Sequence, residues 1–119
     1  MKTVAYLRKE KETVEIDYPL GEIWAAIPKA LTSLEWTVEQ VDDKAHHVKA
    51  KTKAGFMSYA SVLLIDAVPV DEKTARVKVT AETPVTTITA MADFGRTRDR
   101  IELFLRALAK QLTSHENTG

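Results

Sequence analysis

Few residues in this chain combine the type and spacing that chemistry needs. His46 and His47 are adjacent. In a strand, neighbours project to opposite faces, so the two cannot grip one ion from the same side. The 119 residues include no cysteine, which excludes disulfides and thiolate metal or redox sites. A zinc site would need carboxylates from distant segments. His46 shares the inward side with Val48 and Ala50 and is the better placed histidine for acid–base work. His47 points the other way, with Lys49, Lys51 and Lys53. Asp66 continues the run of Val62, Leu64 and Val68. Buried there, it would require a partner such as Arg76 or Lys78, or its pKa would rise; near a strand end it is simply solvated. Phosphate-loop, nucleophile-elbow, H-E-x-x-H and calcium-loop patterns are all missing. No catalytic residue, metal or cofactor is assigned, and the chain reads as a binding domain ahead of an enzyme.

Asp93-Phe94-Gly95 spells the magnesium triplet of protein kinases, but no His-Arg-Asp loop or Gly-rich phosphate loop accompanies it. Lys44, Lys49, Lys51 and Lys53 with His47 form a basic stripe without the interleaved aromatics that stack bases, so a solvated face is expected. Lys plus Arg and Asp plus Glu number 17 each, and this balance calls for neither nucleic acid nor an anionic membrane. The apolar stretch near the N-terminus is too short for a signal segment or a membrane span, and the expected location is cytoplasmic.

The elements that must position these residues follow from periodicity. Val14, Ile16 and Tyr18 alternate with polar residues as a half-buried strand, after a charged run, Arg8 to Glu12, that reads as a solvated turn or edge. Pro19 ends this strand and opens a helix whose apolar stripe is Leu20, Ile23, Trp24, Ile27, Leu31 and Leu34. Pro28 inside it predicts a kink, or two short helices meeting near Ile27. Residues 36–42 and 45–52 form a hairpin turning at Asp42, Asp43 and Lys44. Residues 56–68 are apolar on both faces, as a central strand is. Ala75, Val77, Val79 and Ala81 alternate with Arg76, Lys78, Thr80 and Glu82, and Pro84 separates this strand from a last one over 85–91. Residues 93–112 form a long amphipathic helix with Asp93 as N-cap, Gly95 in the first turn, and Phe94, Ile101, Phe104, Leu105, Leu108 and Leu112 on its buried side. The sum is a soluble two-layer α+β domain over residues 1–113, with a frayed tail at 114–119. Its antiparallel sheet of about five or six strands carries a kinked N-terminal helix and a long C-terminal helix on one face.

The strands carry an excess of small residues, Ala50, Ser58, Ala60, Ser61, Ala75 and Ala81. Beneath a long helix, small side chains either leave a cavity, ringed here by Trp24, Trp36, Tyr59, Met91 and Phe104, or let the helix sit close. The first case gives a domain that binds a small apolar ligand between sheet and C-terminal helix. The alternative is an assembly or adaptor domain, a homodimer in its simplest form, that buries an outer sheet face of Val62, Leu64 and Val68.

The segment VEIDYPLGEIWAAIPKAL resembles the opening of the START and polyketide-cyclase (Bet v 1-like) helix-grip family, in which an apolar strand, a proline and a tryptophan-bearing helix begin the domain. The long final helix fits the same pattern. That resemblance implies a hydrophobic cavity between a curved sheet and the last helix. The ending ADFGRTRDRIELFLRAL is similar to that of small uncharacterised prokaryotic families, some of them lipoproteins, in which Asp-x-Gly precedes an Arg-Ile helix; Asp93, Gly95, Arg100 and Ile101 match, without the lipoprotein cysteine. Neither resemblance supplies a catalytic residue.

Overall fold

The computed structural model describes residues 6–53, 60–85 and 95–117. Five strands, β1 (Tyr6–Ile16), β2 (Thr37–Asp42), β3 (His47–Lys51), β4 (Val62–Pro69) and β5 (Ala75–Val85), form one antiparallel sheet in the order β1-β5-β4-β3-β2. Two helices, α1 (Leu20–Ser33) and α2 (Arg96–Asn117), complete the domain. The expected α+β architecture is present, and the apolar strand at its middle is β4.

Alternation decides which sheet face is buried. Val48 and Ala50 of β3, Leu63, Ile65 and Ala67 of β4, and Ala75, Val77, Val79 and Ala81 of β5 are essentially closed to water. They share their interior with Ile23, Ile27 and Leu31 of α1 and with Ile101, Phe104, Leu108 and Leu112 of α2. The alanines answer one question left by the sequence. Ala50, Ala75 and Ala81 have no accessible surface, and neither has Phe104, so no water-sized gap borders them. Here the small residues seat the helix closely.

Several local expectations are corrected. Of the two expectations for the charged run Arg8 to Glu12, the edge holds and the turn does not: it lies within β1, an eleven-residue edge strand paired along its whole length with β5. Charge is compatible with a strand at the sheet's edge, where it also discourages pairing with foreign chains. β5 continues through Pro84, which pairs with Leu7. Pro84 is exposed and lies one residue from the end of β5, where a missing amide is tolerated. α1 is one continuous helix through Pro28, not two short ones. Pro28 is exposed, so the lost ladder bond falls where water can satisfy the freed carbonyl.

Caps complete both helices. α1 ends in a Schellman arrangement: the Glu35 amide donates to the Thr32 carbonyl and the Trp36 amide to that of Leu31, with Glu35 at φ 60. α2 begins at Arg96, after Gly95 at φ 78, whose carbonyl accepts from the Asp99 amide. Gly95 thus precedes the first turn instead of sitting within it, in a conformation that only glycine adopts without strain. Asp93, the expected N-cap, lies outside the described residues, as do most of the expected strand over 85–91 and residues 56–59 of the central one.

Candidate functional site

α2 crosses the inner face of the sheet, and its two ends meet different surroundings. At its N-terminal end the contacts are polar. Cross-strand register places Arg8 beside Thr83. Ser61 adjoins Thr83 through their hydroxyls, and Thr52 adjoins Ser61, whose amide donates to Thr52 Oγ1 at 2.8 Å while Thr52 N donates to the Ser61 carbonyl at 2.9 Å. A single row, Arg8, Thr83, Ser61 and Thr52, therefore runs across the sheet. α2 lowers two side chains onto it. Thr97 Oγ1 lies 2.9 Å from Thr83 Oγ1, and Arg100 Nη1 donates to Ser61 Oγ. Ser61, Thr83 and Thr97 have no accessible surface, and Arg100 is only 9% exposed. Just outside, Arg98 Nη2 donates to Glu12 Oε2 at 2.6 Å, and this bond raises the Arg98 pKa above its ordinary value.

Within this row the hydroxyls bond to one another, to the Ser61 amide and to the Arg100 guanidinium, which only donates.

The C-terminal half of α2 faces apolar surroundings. Between it and the end of β1 lies a groove of about 210 Å³ lined by Val14, Ile16, Tyr18, Leu105, Ala109, Leu112 and Thr113. A second hollow of about 130 Å³, between the two helices, adjoins it through Tyr18 and Leu112 and adds Glu22, Ala25, Ala26, Lys29 and Gln111. Arg100 and Ala109 are nine positions apart on the helix, so the polar row and the groove are separated by about 14 Å at 1.5 Å per residue.

The residues expected to ring a cavity are placed as follows. Trp24 Nε1 donates to Asp43 Oδ1 at 3.1 Å, and its ring meets that of His46 edge-on with centroids 5.1 Å apart. Trp36 follows the α1 cap and packs against the core's margin. Phe104 is fully buried at the centre. Tyr59 and Met91 lie outside the described residues. Trp24, Trp36 and Phe104 line neither hollow.

The histidines exchange roles. Residues 43–46 form the turn, with Asp42 Oδ1 accepting from the amides of Lys44 and Ala45, so β3 starts at His47. His46 occupies the turn at φ 51 and does not face inward from a strand. His47 Nδ1 lies 2.7 Å from Asp66 Oδ1, so the partner of Asp66 is the neighbouring strand's histidine and not Arg76 or Lys78. The pair sits on the outer face, remote from the groove. Among the described residues no cluster of three or more histidine or carboxylate ligands is suited to a metal.

Sequence reasoning missed the polar row. The signal was present in the spacing: Thr97 and Arg100 fall one turn before Ile101 and Phe104, on the same side of the wheel. Their polarity hid them from a search for apolar stripes.

The geometry has close counterparts among solved structures. Norcoclaurine synthase from Thalictrum flavum, as a point mutant with a transition-state analogue, superposes with a TM-score of 0.66 at 14% identity, covering 98% of this chain and 99% of that one. An aromatase/cyclase from a Streptomyces species gives 0.66 at 12% identity over 93% and 94% of the two chains. An uncharacterised protein from Bacillus thuringiensis gives 0.64 at 14% over 85% and 96%. The chain has the helix-grip fold. The likeness seen in the segment Val14 to Leu31 is therefore a likeness of architecture, and at these identities of architecture alone. No family model and no curated protein matches the chain by sequence. No helix among the described residues of this helix-grip domain is long and apolar enough to cross a membrane.

Proposed function

We propose that this domain binds a small apolar molecule between the sheet and the C-terminal helix, in the groove bounded by β1 and the second half of α2. The observation that carries the reading is the groove's lining, apolar apart from the Thr113 hydroxyl and the tip of Tyr18. Its volume of about 210 Å³ bears on the class of ligand. A cavity of about 150 Å³ accommodates benzene, and drug-sized ligands occupy roughly 300–1,000 Å³. One ring with a short substituent suits the space. Norcoclaurine synthase, which shares the fold, has a structure in complex with dopamine and hydroxybenzaldehyde, molecules of this size. The activity is binding and not catalysis, since the His47 and Asp66 pair lies on the other face of the sheet.

Hydroxybenzaldehyde is a suitable first probe, with saturation-transfer NMR as the readout and native mass spectrometry to detect any molecule retained on purification. Ala109→Trp fills the groove and should abolish the transfer while circular dichroism stays unchanged. Undiminished transfer in a folded Ala109→Trp protein would remove the groove from consideration. The competing reading, a second copy covering Val62, Leu64 and Val68, predicts a dimer in the same native spectrum; Val68, at 46%, is the most exposed of the three.

A further inference from the structure

The equal numbers of acids and bases conceal an uneven placement. On the outer face of the sheet, away from both helices, register aligns Lys9, Glu82, Val62 and Lys51 in one row and Lys11, Thr80, Leu64 and Lys49 in the next. Cross-strand partners share a face, so an apolar centre, Val62 and Leu64 with the buried Thr80, is flanked by two lysines on each side. The lysine columns stand three strand spacings apart, about 14 Å, with about 7 Å between lysines in a column. Three other cations are ion-paired: Arg76 with Glu15, Arg98 with Glu12 and Lys53 with Glu35. Among the described residues none of Lys9, Lys11, Lys49 or Lys51 takes part in an ion pair, and Glu82 is the one acid in these two rows. Most acids gather toward the other end of the sheet, at Glu15, Asp17, Asp42, Asp43, Asp66, Asp71 and Glu72, among Lys44, Lys73, Arg76 and Lys78, while Glu39 lies in the β2 bulge beside β3.

We propose that this face docks on an anionic lipid surface, with the four lysines meeting the headgroups and Val62 and Leu64 resting against the interface between them. Charge complementarity and an apolar centre together select this occupant. Single-stranded nucleic acid would need aromatic platforms, and the described residues of these rows include no Trp, Tyr or Phe. A duplex offers charge to the lysines but nothing apolar to Val62 and Leu64. A second copy seated with its apolar centre on this one would set its lysine columns against these lysine columns. The lysine stems cover the flanks of the apolar pair and keep their charged ends in the headgroup layer.

The full chain is tested by sedimentation with vesicles of phosphatidylcholine, alone or mixed with phosphatidylserine. Binding should require the anionic lipid and weaken as salt is raised. Each lysine should contribute about fivefold to partitioning. The double variants Lys49→Glu/Lys51→Glu and Lys9→Glu/Lys11→Glu, on opposite flanks, should each lose at least about tenfold on that scale, with circular dichroism unchanged. Lys110→Glu, on the helix layer, should bind as the parent does. Equal binding to neutral vesicles, unchanged binding of either folded double variant, tighter binding to duplex DNA, or a vesicle-independent dimer that Lys49→Glu/Lys51→Glu dissolves would each overturn the proposal.

Discussion

The two ends of α2 hold the same helix to the same sheet by different physics. Beyond its first two turns the helix buries Phe104, Leu108 and Leu112 against small and branched residues, a non-directional contact that tolerates modest sliding. The N-terminal half is held by the Thr52, Ser61, Thr83, Thr97 and Arg100 network, in which each bond has a direction and each lost partner leaves a dehydrated group behind. The apolar half therefore supplies most of the adhesion, and the polar half fixes the helix's rotation and position along the sheet.

That contrast is exposed to test, beginning with the largest effect. Leu108→Ala, at a site with no accessible surface, should lower stability by about 2–5 kcal/mol in urea titrations. An effect below that of the polar-end variants would invert the comparison. Arg100→Met should cost about 1.5–3 kcal/mol. Adding Ser61→Ala to it should cost less than the two singles summed, because the second change removes a hydroxyl that has already lost its donor; strict additivity would mean that the network does not act as one. At the start of α2, Gly95→Ala should cost about 1–2 kcal/mol through backbone conformation alone, since an added methyl there meets nothing within 4 Å. Gly21→Ala, equally unobstructed but inside α1, should instead gain about 0.5–1 kcal/mol. Arg98→Ala removes the solvent-screened ion pair with Glu12 and should shift the urea midpoint least of the set.

The apolar half was legible in the sequence and the polar half was not. Ile101, Phe104, Leu108 and Leu112 announce a buried stripe by spacing, and Ala75 to Ala81 announce a one-sided strand, because both patterns are local. The row under Thr97 and Arg100 brings together residues from four separated segments, and serine, threonine and arginine are equally at home on a surface. β1 was obscured for a related reason. Its charges break the expected alternation, although Arg8, Glu10 and Glu12 occupy inward register positions opposite Thr83, Ala81 and Val79. Arg98, far along the chain, gives Glu12 its partner. The placement of His47 beside Asp66 turned on where one turn ends, a matter of two residues, which is the scale at which periodicity loses precision.

The pairing of β1 with β5 has a consequence for synthesis. Strands β2 to β5 follow one another as a meander, so each can pair soon after it is made, whereas β1 is made before all of them. Ile16 must wait for Ala75. At about 5–20 residues per second the wait is roughly 3–12 s. For that interval β1 is a strand without a ladder, in the state most prone to joining a stranger. The run Arg8-Lys9-Glu10-Lys11-Glu12 keeps the waiting segment hydrated, and it becomes part of a sheet only when β5 has arrived beside it.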